Sequence, residues 1–351
     1  MTNGPQLKRY ESRYPREGDV AILCEGDIVG YEVELLERWL AIGRSRCAID
    51  VWPCGTKSAI MGMSDAIGRG VPIVVIEDRD FRTREEATKD TEESRKDRRD
   101  RLVRIASWKT WERNEIENYL VEPAVVLPAL SVAFGVSEED VRLRLGHVVE
   151  SLRIDQAAQY ALNVCWARLP HSHARRFIVG LPKRTARPQW DSTRKTIIPA
   201  LLTVVTDALR RAITDTATRL SVDVRALDIE EVLKSFQGKC NEWAGTTTDD
   251  TAWRVDWAGK DVLGALCRSL TGEFGWPPIS SRGAPIAIDW SLLADQKKDA
   301  ELDRDIATVL QPRLIDSFLN YLGTSDGSPI RQEWDSLAID IVEASKSEAL
   351  N

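Results

Sequence analysis

Three short apolar runs, each ended by polar or acidic residues, alternate with two stretches of helical periodicity near the start of this chain. Asp19–Glu25 reads Val20, Ala21, Ile22, Leu23, Cys24 without a break and closes on Glu25 and Gly26. Ala48–Trp52 is the second run, and Val71–Ile76 is the third, followed by Glu77-Asp78-Arg79-Asp80. Between them, Tyr31–Ile42 repeats Val33, Leu36 and Leu40 and stops at Gly43, and Thr56–Ile67 stops at Gly68 and Gly70. Apolar runs that do not alternate belong to strands covered on both faces. Helical crossovers between such strands impose parallel pairing, so the pattern predicts an α/β fold with a Rossmann-like parallel sheet.

That fold directs attention to the carboxyl ends of its strands, where ligands of open parallel sheets gather. Glu25 ends the first strand, and Asp78 and Asp80 follow the third. Residues two apart on a strand share a face, so Asp78 and Asp80 are expected to point together, with Glu25 approaching from a neighbouring strand. Three such carboxylates repel one another unless a cation lies between them. Magnesium suits hard oxygen donors and substrate phosphates, with manganese as its substitute. A metal so held polarises a phosphodiester and activates water. The plainer reading of the same acids is solvation or helix capping.

The rest of the chain bounds the reading. Its 351 residues suffice for one large or two ordinary domains, and a net charge of -7 excludes a generally basic nucleic-acid coat but not a local basic channel. The six cysteines form no CxxC pair and there are three histidines, so the usual zinc spacings are absent. Dispersed thiols, no apolar leader and no membrane-length apolar run predict a cytoplasmic protein without a membrane partner. Residues 1–18 are expected to be a flexible segment and 346–351 a tail. Residues Arg82–Arg104, dense in both signs of charge, are expected to form a solvated helix or an excursion, and Ile105–Trp111 a further strand. From 126 to 345 the chain is expected to be mainly helical, with a helix starting at Ser137 and running to about Trp166, and others at 197–219, 227–237, 259–271 and 294–322.

Several short segments together carry a family likeness. Cys24-Glu25-Gly26, Cys54-Gly55-Thr56-Lys57-Ser58 and Glu77-Asp78-Arg79-Asp80-Phe81 resemble the successive motifs of a TOPRIM domain, in an order and spacing similar to the overcoming-lysogenisation-defect nucleases. Asn114-Glu115-Ile116-Glu117-Asn118-Tyr119-Leu120 resembles the TOPRIM-like family that includes the nuclease subunit of the PARIS anti-phage system, and Gly259-Lys260-Asp261 with Leu263 is similar to a later motif of that family. The likeness covers residues 19–125, which it marks as a TOPRIM catalytic domain. It leaves 126–345 as a helical region for substrate or partner binding. The resemblance implies a magnesium-dependent nuclease, held by an ABC-type ATPase sensor subunit, that acts as a toxic effector in anti-phage defence. RNA such as tRNA is the implied substrate, while DNA and a homodimer stay open. Glu25, Asp78 and Asp80 take the metal-ligand role, and Glu117 an accessory catalytic one. The family often has an acid four places after the glutamate; here Val29 stands there, which leaves a second metal's ligands open.

Other residues are candidates for holding the substrate. Gly55-Thr56-Lys57-Ser58 lacks the spacing of a phosphate loop, but a helix opening there would let Lys57 meet a phosphate. Arg79 lies between the two aspartates. Arg175, Arg176, Lys183 and Arg184 crowd one loop with His171, His173, Arg187 and Trp190, a stripe that suits a phosphate backbone and a stacked base, or a solvated loop. Trp243, Trp253 and Trp257 are candidates for a partner surface. Two other classes remain: a regulatory or scaffold subunit with a degenerate TOPRIM site, and a different phosphotransfer enzyme such as a primase.

Overall fold

All five residues Val20–Cys24 are fully buried, which is what a central strand covered on both faces requires. The computed structural model describes residues 20–26, 30–42, 49–55, 57–67, 71–80, 85–87, 89, 105–166, 194–220, 227–244, 246–274 and 296–346. Strands β1 (Val20–Cys24), β2 (Ile49–Pro53), β3 (Ile73–Glu77) and β4 (Ile105–Thr110) form one four-stranded sheet in the order β2-β1-β3-β4. Every pairing is parallel: Leu23 stands opposite Trp52 on one side and Val75 on the other.

The side chains of β1 divide by strand alternation. Val20, Ile22 and Cys24 join one core with Val51, Val74 and Ile76 and with Val33, Leu35 and Leu36 of helix α1 (Tyr31–Ile42). Ala21 and Leu23 join a second core with Trp52, Ile73, Val75 and Ile60 of helix α2 (Lys57–Ala66). The two crossover helices therefore cover opposite faces, as a doubly wound sheet demands. Each fully buried Val, Leu or Ile contributes about 1.5–3 kcal/mol, so β1 alone anchors much of the sheet.

The remainder is mostly helical: α3 (Glu117–Leu120), α4 (Pro123–Phe134), α5 (Glu138–Trp166), α6 (Arg194–Leu220), α7 (Ile229–Glu242), α8 (Ala252–Asp256), α9 (Gly259–Phe274), α10 (Gln296–Thr324) and α11 (Pro329–Lys346). The expected start at Ser137 is present as a reciprocal cap: the Asp140 N–H donates to Ser137 Oγ at 3.1 Å, and Asp140 Oδ2 accepts the Ser137 N–H at 3.2 Å. Among the longer helices, α4 and α11 are not among the spans expected from sequence. Pro128 inside an apolar run masked α4, yet Pro123 at its first position is a helix-opening signal. In α11, Ile330, Trp334, Leu337, Ile341 and Ala344 face the core at helical spacing, and the helix packs on β1, β3 and β4.

The first core is continuous from β1 to Ala344, so sheet and helical region share one apolar interior. Four aromatic rings gather around Trp334 in it. Its ring meets Trp39 at 5.0 Å, Phe318 at 5.1 Å, Trp111 at 5.2 Å and Tyr119 at 5.8 Å between centroids. Trp243, Trp253 and Trp257 also lie inside, at most 1% exposed, which removes them as a partner surface. Among the described residues no helix is long and apolar enough to cross a membrane. Trp334→Ala should cost about 3–5 kcal/mol in urea unfolding, whereas Ile339→Ala, on the same helix but 58% exposed, should stay within about 0.5 kcal/mol.

Candidate metal centre

The crossover after β1 leads to β2 and the chain after β3 leads to β4, in opposite directions across the sheet. The carboxyl ends of β1 and β3 therefore flank the topological switch point. Glu25 is the first residue beyond β1, and Asp78 the first beyond β3. Backbone pairing continues past the strands on both sides. The Cys54 N–H donates to the Cys24 carbonyl at 2.8 Å, and the Trp111 N–H donates to the Glu77 carbonyl at 3.0 Å.

Around this point the acids act on one another. Burial pushes the Asp78 carboxyl well above its ordinary value, and the carboxylates of Glu32, Glu117, Glu25 and Glu115 push it further. Glu32, in the first turn of α1, is 3% exposed, and burial lifts it to about 7. The Gly26 N–H offsets that rise and the Glu117 charge adds to it. Burial also raises Glu117, against the pull of Lys260. Glu115 is raised to about 7 by burial although Lys260 Nζ donates to its Oε1 at 2.5 Å. Burial lowers the Lys260 ammonium, but Glu115, Glu117 and Asp261 together leave it raised, so it stays charged.

The helical region holds the turn that carries Glu115 and Glu117. Asn118 Oδ1 accepts the Glu115 N–H at 2.9 Å, while its Nδ2 donates to the carbonyls of Arg254 at 3.1 Å and Trp257 at 2.9 Å. Gly259 opens α9 against this turn: a Cβ there would lie 2.4 Å from the Asn118 nitrogen and 2.6 Å from the Glu117 carbonyl carbon. Asp261, the third residue of the same motif, accepts from Gln156 and Gln159 of α5 at 3.0 Å each.

Of the residues expected from sequence, Glu25 and Asp78 stand at the ends of the paired strands β1 and β3, and the charges of Glu25 and Glu117 both raise the Asp78 carboxyl. Two expectations change. Strand alternation does not govern Asp80, because β3 ends at Glu77 and Asp80 occupies a turn at φ 50°, a left-handed conformation that Asp tolerates. Arg79, expected on substrate phosphate, is instead 5% exposed: its Nη2 donates to the Val255 carbonyl at 2.8 Å and to Asp256 Oδ1 at 2.7 Å. It ties the strand end to α8. Lys57 opens α2, where the sequence put it. Arg175, Arg176, Lys183 and Arg184 lie outside the described residues.

Sequence reasoning missed Glu32, Glu115 and Asn118 as parts of the site. Glu32 sits on what reads as the polar side of α1, and only the fold turns it inward. Asn118 and Tyr119 belong to α3. Both are fully buried, and Tyr119 packs edge-on to Trp111.

Among the described residues no three His, Cys, Asp or Glu side chains stand close enough as placed to hold one ion together. The donor chemistry nevertheless fits a hard divalent cation. The acids are all carboxylates that repel one another, Glu32 and Glu115 buried and Glu25, Asp78 and Glu117 half-buried, and Lys260 lies at their edge with a side chain 65% exposed. Comparison with family models and with curated proteins found no match for the chain.

The pH dependence follows from these raised values. A carboxyl that keeps its proton in the fold but loses it when unfolded, such as Glu32 at about 7 against 4.5, adds nothing at low pH and becomes unfavourable as pH rises. Metal-free protein should therefore melt at progressively lower temperature from about pH 5 to about pH 8. Asp78→Asn should flatten that slope and melt about 2–4 °C above wild type near pH 8 in a scanning denaturation. A wild-type melting temperature that rises over this range would contradict the assignment.

Proposed function

We propose that this chain is a magnesium-dependent nuclease of the TOPRIM type, acting on RNA such as tRNA as the effector of an anti-phage system under an ATPase partner. One observation carries the reading. Glu25 follows the end of β1 and Asp78 the end of β3, on the two sides of the switch point of a parallel sheet, and Glu117 of α3 comes from the segment after β4. The motif likeness of residues 19–125 supports the substrate class and the partner.

Glu25 and Asp78 would hold the ion, with Glu117 beside them and Asp80 in the adjoining turn. Once bound, a divalent cation supplies charge to polarise the phosphodiester and to lower the pKa of a water. The chain's own groups do the rest. Glu115 holds Lys260 through a 2.5 Å ion pair, so a cation stands at the rim of the acidic group, where a phosphate would be received. Asn118 and Gly259 fix the turn that carries Glu117, and Arg79 fixes the turn that carries Asp78 and Asp80. Rigid support of this kind is what an in-line displacement needs from a protein.

A second reading, a regulatory subunit that keeps the fold without the chemistry, draws on the spacing of the acids, no three of which are placed to share an ion among the described residues. One assay separates the two. Labelled tRNA, single-stranded RNA and DNA are offered to the purified protein with magnesium, with manganese and with chelator, alone and with the proteins encoded beside it. The nuclease reading predicts cleavage that requires metal and falls at least about 100-fold in Asp78→Asn and Glu25→Gln with the fold intact. Equal inertness of wild type and Asp78→Asn on every substrate, with and without those neighbours, would favour the regulatory reading.

A further inference from the structure

Glu32 does more than add charge to this group. Its Oε2 accepts the Gly26 N–H at 2.6 Å and its Oε1 accepts the Trp111 Nε1–H at 3.5 Å. A glutamate in a helix's first turn ordinarily reaches back to its own helix's N-cap amide. Glu32 passes over that position and holds the residue directly after Glu25. Glycine at 26 leaves room for this bond: a Cβ there would lie 2.8 Å from Glu32 Oε2 and 3.0 Å from Glu32 Cβ, so the Glu32 side chain would have to shift. On the other side, Trp111 begins the segment that leads to Glu115 and Glu117, and its own N–H is bonded to Glu77, next to Asp78. One carboxylate thus touches backbone or side chain on both sides of the switch point.

We propose that Glu32 is the positioning residue of the candidate metal centre, holding the end of β1 through Gly26 and the β4 exit through Trp111 so that Glu25, Asp78 and Glu117 keep their mutual placement. The proposal rests on the metal-dependent reading above. It assigns Glu32 no contact with substrate. Its side-chain oxygen acts through a short hydrogen bond to the Gly26 N–H, which depends on the reach of the side chain.

Two readouts on the full chain test it: amide hydrogen exchange at Gly26 without metal, and Mn2+ affinity by electron paramagnetic resonance titration. Glu32→Asp keeps the charge but is one methylene short; Glu32→Gln keeps the length and an acceptor oxygen but loses the charge. Glu32→Asp should speed Gly26 exchange about tenfold or more and weaken Mn2+ binding about 10–100-fold. Glu32→Gln should recover most of both. Should Glu32→Ala fail to fold, the Asp and Gln pair still decides. Mn2+ uptake by wild type with Gly26 exchange unmoved in Glu32→Asp would overturn the positioning role. So would Glu32→Gln losing Mn2+ as fully as Glu32→Asp while its Gly26 exchange stays slow, which would separate metal affinity from the Gly26 bond. Absence of Mn2+ uptake by wild type would be the separate failure of the metal-dependent reading, and would overturn the role in a metal centre with it.

Discussion

Like charges drawn out of water at one point set the terms for this structure. Asp78 feels Glu32, Glu117, Glu25 and Glu115, which come from the end of β1, the first turn of α1 and the segment after β4. Burial already disfavours a carboxylate, and each neighbour raises the cost further. Such an arrangement lowers stability unless the groups keep protons or share a cation. A fold that maintains it against that penalty needs strong support from elsewhere, and this fold supplies it from both directions along the chain.

The support comes largely from residues far away in sequence. Arg79 reaches Val255 and Asp256, Asn118 reaches Arg254 and Trp257, the Asn114 N–H donates to the Val255 carbonyl at 2.8 Å, and Lys260 reaches Glu115. Glu122 adds a buried knot by accepting from Arg113 at 2.7 Å and from Arg254. The segment 254–261 is thereby laced to the turns that carry the acids. Behind it, Trp334 of α11 packs against Trp111 and Tyr119, on either side of Glu115 and Glu117 in sequence. The helical region and the sheet share one apolar interior behind the site.

What the sequence revealed follows from the range of the interactions involved. Strands β1 and β3 were legible because a strand buried on both faces must be apolar throughout, and Val20–Cys24 and Ile73–Ile76 are. Glu25 and Asp78 were legible because they terminate such strands. Glu32 was not, since a glutamate on a surface-like helix has the same pattern whether it faces water or a buried amide. Arg79 misled for the complementary reason: an arginine between two aspartates suggests phosphate, while its partners, 176 and 177 residues away, leave no local trace. Asp80 misled because period-two alternation was carried beyond the last paired residue of β3.

The central claim is that this acidic group holds protons without metal and releases them to a divalent ion. Calorimetric titration of the full chain with magnesium at about pH 6.5, in buffers of different ionisation enthalpy, measures that exchange directly. The account predicts a net release of about one proton or more for each ion bound, shrinking toward zero by about pH 8.5. Binding without proton release at pH 6.5 would contradict it, because the acids would then already be ionised and unconstrained by one another.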